Sequence, residues 1–474
     1  MNSADPARAA SALDLGLLAP GRAGSRVETE TGDGAYLQAL LDAEAALARA
    51  QAALGLVPAA AAVAITAAAQ AENFDLRGLA LSASGGGNPV IPLVGALRAA
   101  VGTEHAGYVH RGATSQDIMD TATMLVAERA RVVCLADLDR VAAALARLAA
   151  LHRDTPMAGR TLTQHAVPTT FGLKVAGWRS LVLDARDQLA GCTLPAQIGG
   201  AAGTLAALIP PDEAHSVFEL VVRYAAEAGL DTPELPWHVL RTPVAGLGGA
   251  LALTAGALGK FAADVLVLGR TEIGEIATRS GGAGGSSAMP QKANPVNATL
   301  IASAARQVPA LASVLYASMV AEDERPAGAW HAEWSSLREA LRQVGTAAEL
   351  AANLAEGLDA RPERMAANLA LSDGLMVSER LVGELEPLLG RETARAVLSA
   401  AARAAGQSPG QEGTSFRRAL GETPEISALI DGKQLTEDDL AEWLDPAGYL
   451  GVAAALVDRS LSRLPRTGRS RTAQ

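Results

Sequence analysis

Between Val244 and Gly259 the chain reads VAGLGGALALTAGALG, a stretch without a charge and built almost wholly of Ala, Leu and Gly. Such a segment must be hidden from water. It ends at Lys260 and meets Asp264 soon after, which leaves it short of the ~20 apolar residues that span a bilayer. A helix that is apolar all round is buried on all sides. In a chain of net charge −11, this points to a helical bundle shared between subunits. Ala and Leu dominate elsewhere too, and aromatics make up only 3%, a usage that suits helix packing and lacks the residues strands favour. The fold class expected is all-α.

The rest of the chain repeats the pattern in shorter pieces. Residues up to about Gly32 read as irregular. Leu40, Leu47 and Leu54 then recur at seven-residue spacing, flanked by Leu37 and Leu41, as in an amphipathic helix that Gly55 and Pro58 close. A second helix is expected from about Ala59 to Ala71, and Ser82 to Pro89 reads as a loop. Helices are expected over Leu93 to Val101, Ile118 to Leu151, Val244 to Ile276 and Ala298 to Val320, with a further one running to Glu356. Shorter helices after Arg361 read as a separate small domain. Arg463 to Gln474 lack apolar periodicity and read as a disordered tail.

Charge and cysteines exclude several classes. An acidic chain lacks the basic excess of a nucleic-acid binder, so an anionic substrate has to be held by a local cluster of cations. Cys134 and Cys192 are too few for a disulfide framework and have no metal-ligand spacing; both are expected to be buried in a reducing cytoplasm. The opening Asn2-Ser3-Ala4-Asp5 has no basic start followed by an apolar core, so secretion is not indicated.

Polar chemistry gathers in three places. The loop over 281–298, GGAGGSSAMPQKANPVNA, is too rich in Gly and Pro for a helix. Ser286 stands six residues before Lys292 and eight before Asn294, so a folded-over loop can set a hydroxyl, a cation and an amide around one anion. A phosphate loop needs Gly-Lys-Ser/Thr, whereas Gln291 and Ala293 flank Lys292. Composition alone also fits a flexible linker. The second place is His110-Arg111-Gly112-Ala113-Thr114-Ser115-Gln116-Asp117, where hydroxyls meet a helix start. It reads either as an anion site at the helix N-terminus or as an ordinary N-cap. The third, Gly159 to Gly172, is dense in donors and reads as a polar bend between helices.

These three segments, in this order, resemble the fumarase/aspartase superfamily. Residues 285–295, GSSAMPQKANP, look like its signature GSSxMPxKxNP with every defining position present. Together with Gly87-Asn88-Pro89-Val90 and Ala329-Trp330-His331-Ala332-Glu333-Trp334, they look most like the carboxymuconate cycloisomerase branch. The resemblance covers nearly the whole chain. It implies a three-domain helical fold with a long central bundle, divided here at residues 1–111, 112–361 and 362–474. It also implies a cytoplasmic homotetramer with each active site built from three subunits, no cofactor or metal, and no nucleic-acid or membrane partner.

The resemblance assigns roles as well. Ser286 would be the general base, taking a proton from the carbon beside a carboxylate of a small polycarboxylate. Its alkoxide would need the positive potential of Lys292 and loop N–H groups. Asn294 would position the carboxylate; Thr114, Ser115, Thr161 and Gln164 would bind substrate oxygens, with Asn88 and Arg325 as further contacts. Many superfamily lyases have His after the Thr of the second region, where this chain has Leu162, and His165 is three positions later. The carboxymuconate branch tends to have Trp at the Arg111 position, His at Asp323 and Arg at Ala293. Arg111 offers a cation to an anionic substituent and Leu162 suits a leaving group that needs no proton. The expected reaction is therefore elimination from a substituted succinate, with nitrosuccinate first and 3-carboxy-cis,cis-muconate cycloisomerisation as the alternative. A non-catalytic structural protein on the same scaffold is the third reading.

Overall fold

The computed structural model describes residues 16–208, 214–278, 289, 292–405 and 415–466, with only the backbone of 214–216. The chain is predominantly α-helical. The amino-terminal part holds α1 (Arg26–Thr31), α2 (Asp33–Ala53), α3 (Ala59–Ala68), α4 (Leu76–Gly86) and α5 (Val90–Val101). The longest helices follow: α6 (Ser115–Leu151), α7 (Phe171–Ala190), α8 (Ala214–Ala228), α9 (Thr242–Leu268), α10 (Val296–Ala317) and α11 (Ala329–Glu356). At 37 residues, α6 is about 55 Å long.

Helices α6, α7, α9, α10 and α11 pack against one another as a bundle, and one continuous apolar core joins them to α2 and α5. The glycines of the apolar run explain how closely α9 and α10 approach. A Cβ on Gly248 would stand 2.7 Å from Leu315 Cδ1, and one on Gly259 would stand 2.5 Å from Ala305 Cβ. A side chain at either position would force the helices apart, so the run is set by packing as well as by hydrophobicity.

The apolar run departs from expectation in two respects. The helix expected over Val244 to Ile276 stops at Leu268, yet at 27 residues α9 reaches beyond the charge-free run, so α9 and α10 are both long and apolar enough to cross a membrane by length and composition alone. Lys260 and Asp264 lie on α9, and Asp264 accepts the Trp178 indole N–H at 2.7 Å, which marks α9 as packed against protein. Nor does the single chain bury this helix all round: half of its apolar window is covered, and Leu253 stands exposed.

Several local expectations need correction. Residues before Gly32 include the helical turns of α1. The loop expected from Ser82 is the second half of α4, which Asp75 starts by accepting the Gly78 N–H at 2.9 Å and Gly87 ends at φ +72°. The polar bend at Gly159 to Gly172 is an antiparallel hairpin of β1 (Pro156–Thr161) and β2 (Gln164–Thr170). Its two-residue turn, Leu162-Thr163, has φ of +49° and +72°, the geometry that matches strand twist in tight hairpins.

A second pair, β3 (Ile276–Thr278) and β4 (Leu358–Ala360), joins the end of α11 to the strand before the glycine-rich loop. A separate apolar cluster including Leu381, Leu385, Leu398, Phe416 and Leu420 lies among the short helices after Arg361. The expected tail begins docked: Arg463 pairs with Asp184 at 2.7 Å and Asp187 at 3.0 Å on α7, and the Arg466 N–H reaches Asp187 at 2.9 Å.

Candidate active site

The start of α6 is the best-defined part of the site. Gly112 turns the chain with φ +76°, and a Cβ there would stand 2.7 Å from the Ala207 carbonyl oxygen, so only glycine lets these loops meet. Thr114 is the N-cap, and its N–H donates to Asp117 Oδ2 at 2.9 Å. The ordinary N-cap reading therefore holds for its backbone. The Thr114 hydroxyl accepts from the Arg325 guanidinium at 2.8 Å, and Arg325 also reaches the Ala201 carbonyl at 3.3 Å. A cation and a hydroxyl thus stand together at the positive end of a long helix, an arrangement suited to a carboxylate.

Beneath this surface lies a buried polar network that the sequence reading missed. Asp117 is 1% exposed; besides Thr114 it accepts the Gly200 N–H at 3.0 Å and stands 2.8 Å from His238 Nε2. One carboxylate thereby ties the α6 start to the 199–203 loop and to the segment before α9. One turn along, Arg241 binds Asp120 through both terminal nitrogens, at 2.8 and 3.1 Å, and Glu333 at 3.0 and 2.5 Å. Asp120 also accepts the Trp330 N–H at 3.0 Å. Burial pushes the Glu333 carboxyl up, against the lowering effect of Arg241, and the net is a raised pKa. The signal was present in the sequence as Asp117 and Asp120 on an otherwise apolar helical face, where a charge needs a partner.

The remaining expected residues fall into separate groups. Asn88 is buried and caps α5, its Oδ1 accepting the Val90 N–H at 3.1 Å; the turn beside it faces His331, whose Nε2 would lie 3.7 Å from a Cβ on Gly87. Ser115 begins α6, half-buried. Arg111 turns to donate to the Leu56 carbonyl at 2.8 Å. Thr161 and Gln164 pair across the hairpin turn, both exposed. Lys292 is exposed and Asn294 half-buried, just before α10. Ser286 lies outside the described residues. Of the nine expected residues that are described, Thr114 and Arg325 are the pair joined by a hydrogen bond.

Two of these groups share an anchor. Arg160, beside Thr161, binds Glu275 at 2.7 and 3.0 Å, and Asn368 donates to the same carboxylate at 2.9 Å. Glu275 has no solvent exposure and immediately precedes β3. The bidentate pair therefore ties the turn end of the hairpin to the strand entering the glycine-rich loop. Among the described residues no group of three or more His, Cys, Asp or Glu side chains is placed to hold a metal ion.

A family model described as "Lyase" matches residues 23–310, and another described as "Adenylosuccinate lyase C-terminus" matches residues 374–460. The chain belongs to the fumarase/aspartase superfamily. Within it, a nitrosuccinate lyase of Streptomyces davaonensis is 53% identical over 95% of each chain. A 3-carboxy-cis,cis-muconate cycloisomerase of Pseudomonas aeruginosa is 43% identical over 91% of this chain and 92% of its own. The solved 3-carboxy-cis,cis-muconate lactonizing enzyme of Pseudomonas putida superposes with a TM-score of 0.84 at 40% identity, covering 92% of this chain and 96% of the other. Membership of this catalytic superfamily makes the protein an enzyme of lyase or isomerase type.

Proposed function

We propose that the enzyme moves a proton at the carbon beside a carboxylate of a small polycarboxylate, without a cofactor. Ser286 exchanges the proton: its alkoxide, kept accessible by the positive potential of Lys292, takes the proton in an elimination, and its hydroxyl returns one to the carbanion formed when a carboxylate oxygen adds to the double bond in a lactonisation. Asn294 positions the carboxylate whose charge grows as the carbanion forms. The Thr114 hydroxyl and Arg325 bind another substrate oxygen, and Ser115 and Asn88 are further substrate contacts. Thr161 and Gln164 stand on an exposed turn, and α9 leaves apolar surface uncovered; both features support a homotetramer in which subunits complete one another's sites. In that assembly the division at residues 111 and 361 separates a central bundle from two peripheral domains.

The substrate order read from the sequence changes. Arg111 and Leu162 put nitrosuccinate first, yet the Arg111 guanidinium is bound to the Leu56 carbonyl and Leu162 stands 96% exposed at the hairpin tip. Lactonisation of 3-carboxy-cis,cis-muconate is then the broader reading, supported by the likeness to both muconate enzymes in sequence and in structure. One observation favours a second reading: the relative at 53% identity is a nitrosuccinate lyase. In that reaction the proton leaves carbon, the C–N bond breaks with its electron pair, and fumarate and nitrite form.

Incubation of the purified protein with each substrate separates the two. Lactone formation supports the first, and fumarate plus nitrite in equal amounts the second. Ser286→Ala should lose activity on the accepted substrate by about a hundredfold or more; full activity would remove Ser286 from its role.

A further inference from the structure

The exposed Arg325 side chain meets the start of α6 through two acceptors on different segments. Its Nη2 donates to the Thr114 hydroxyl at 2.8 Å and to the Ala201 carbonyl at 3.3 Å. Both acceptors are set by one buried oxygen. Asp117 Oδ2 accepts the N–H of Thr114 at 2.9 Å and that of Gly200, the residue before Ala201, at 3.0 Å. The gap that Arg325 bridges therefore depends on where this carboxylate lies.

His238 holds the carboxylate from its other side. Its Nε2 stands 2.8 Å from Asp117 Oδ1, and the two side chains are 3% and 1% exposed. Asp117 already accepts two backbone N–H groups, so the arrangement calls for Nε2 to donate the third hydrogen. The loop that carries Ala201 also rests on the imidazole, since a Cβ on Gly199 would stand 2.8 Å from His238 Cε1. His238 is fixed in turn through its own carbonyl, which accepts the Gln116 amide at 2.9 Å. At this depth no water replaces a lost partner, so removing the imidazole N–H leaves Asp117 Oδ1 unsatisfied.

We propose that His238 is a positioning residue for substrate binding: acting through Asp117, it fixes the gap between the Thr114 hydroxyl and the Ala201 carbonyl, and with it the direction in which Arg325 meets a substrate carboxylate. The inference rests on the reading of Arg325 as the cation for that carboxylate. It does not depend on which polycarboxylate is the substrate.

Steady-state kinetics with whichever of nitrosuccinate and 3-carboxy-cis,cis-muconate the enzyme turns over test this. His238→Leu keeps most of the bulk and removes the donor; it should raise KM about 3- to 10-fold and change kcat by less than about twofold. His238→Gln, whose amide nitrogen reaches as far as Nε2, should bring KM back to within about twofold of the parent. In an Arg325→Ala background His238→Leu should add less than about twofold, because its effect passes through the missing guanidinium, whereas a role in folding alone gives the same loss in both backgrounds. Where the Leu variant does not fold, His238→Asn, whose shorter amide stops short of Asp117, takes its place. A parental KM in the Leu variant, a Gln variant no better than it, or an equal loss with and without Arg325 overturns the inference and leaves Arg325 in its role. If neither substrate is turned over, or if Arg325→Ala by itself leaves KM unchanged, the carboxylate reading falls and the inference with it.

Discussion

Replacing Arg241 by Met tests how the buried network supports the start of α6. Arg241, Asp120 and Glu333 are 2%, 3% and 3% exposed, so water cannot compensate for a lost partner. Met keeps most of the stem volume and removes the charge. Asp120 retains the Trp330 N–H at 3.0 Å and the Gln116 amide at 3.2 Å, but Arg241 is the side chain that hydrogen-bonds both oxygens of Glu333. Leaving such a carboxylate buried and unpaired should cost about 3–5 kcal/mol.

The sign of the pH dependence follows. Burial already raises the Glu333 pKa, and losing the Arg241 charge raises it further. The folded variant then takes up a proton that the unfolded chain, at about 4.3 for Glu, does not yet hold, so its deficit shrinks as pH falls. Denaturation midpoints by circular dichroism at neutral and mildly acidic pH measure this. Adding Glu333→Gln to Arg241→Met should recover part of the loss at neutral pH, since it removes the stranded charge. A single variant within about 1 kcal/mol of the parent, or a double variant no better than the single, would refute the reasoning.

Three further outcomes are expected. Arg325→Ala should raise KM for the accepted polycarboxylate by about tenfold with a smaller change in kcat, because it removes the cation beside Thr114; steady-state kinetics would reveal an unchanged KM. Gly112→Ala should lower the melting temperature, since φ +76° and the 2.7 Å approach to the Ala207 oxygen add about 1–2 kcal/mol of backbone strain to a direct clash; an unaltered melt would contradict it. His110 contacts Glu44 at 2.6 Å, and although burial pulls its imidazole down, the hydrogen bond and charge of Glu44 leave the pKa raised. Stability from this pair should be fully present below about pH 6.5 and fade as pH rises through the higher folded value. Denaturation midpoints across that range should show the trend in the parent and not in Glu44→Gln.

How much was legible in the sequence varied with the range of the interaction. Long helices could be read because apolar periodicity and Gly or Pro boundaries are local, and α6 and α11 appear close to where their patterns place them. The hairpin at Leu162-Thr163 was not, since two non-glycine residues at positive φ carry no turn signature of their own. Ser82 to Gly86 looked like a loop for the opposite reason: its small residues are helical because Asp75 starts the helix and Gly87 supplies the left-handed stop.

The sequence by itself determined the helical class, the superfamily and the three polar segments. Each rests on residue types at fixed spacing along the chain. Only the tertiary structure decided which polar side chains face one another. It set Arg325 on Thr114 across 211 residues, turned Arg111 toward Leu56, and buried Asp117 with His238 and Arg241 with Asp120 and Glu333. Those pairings depend on how helices distant in sequence cross, and a buried charge is stable only where that crossing brings it a partner.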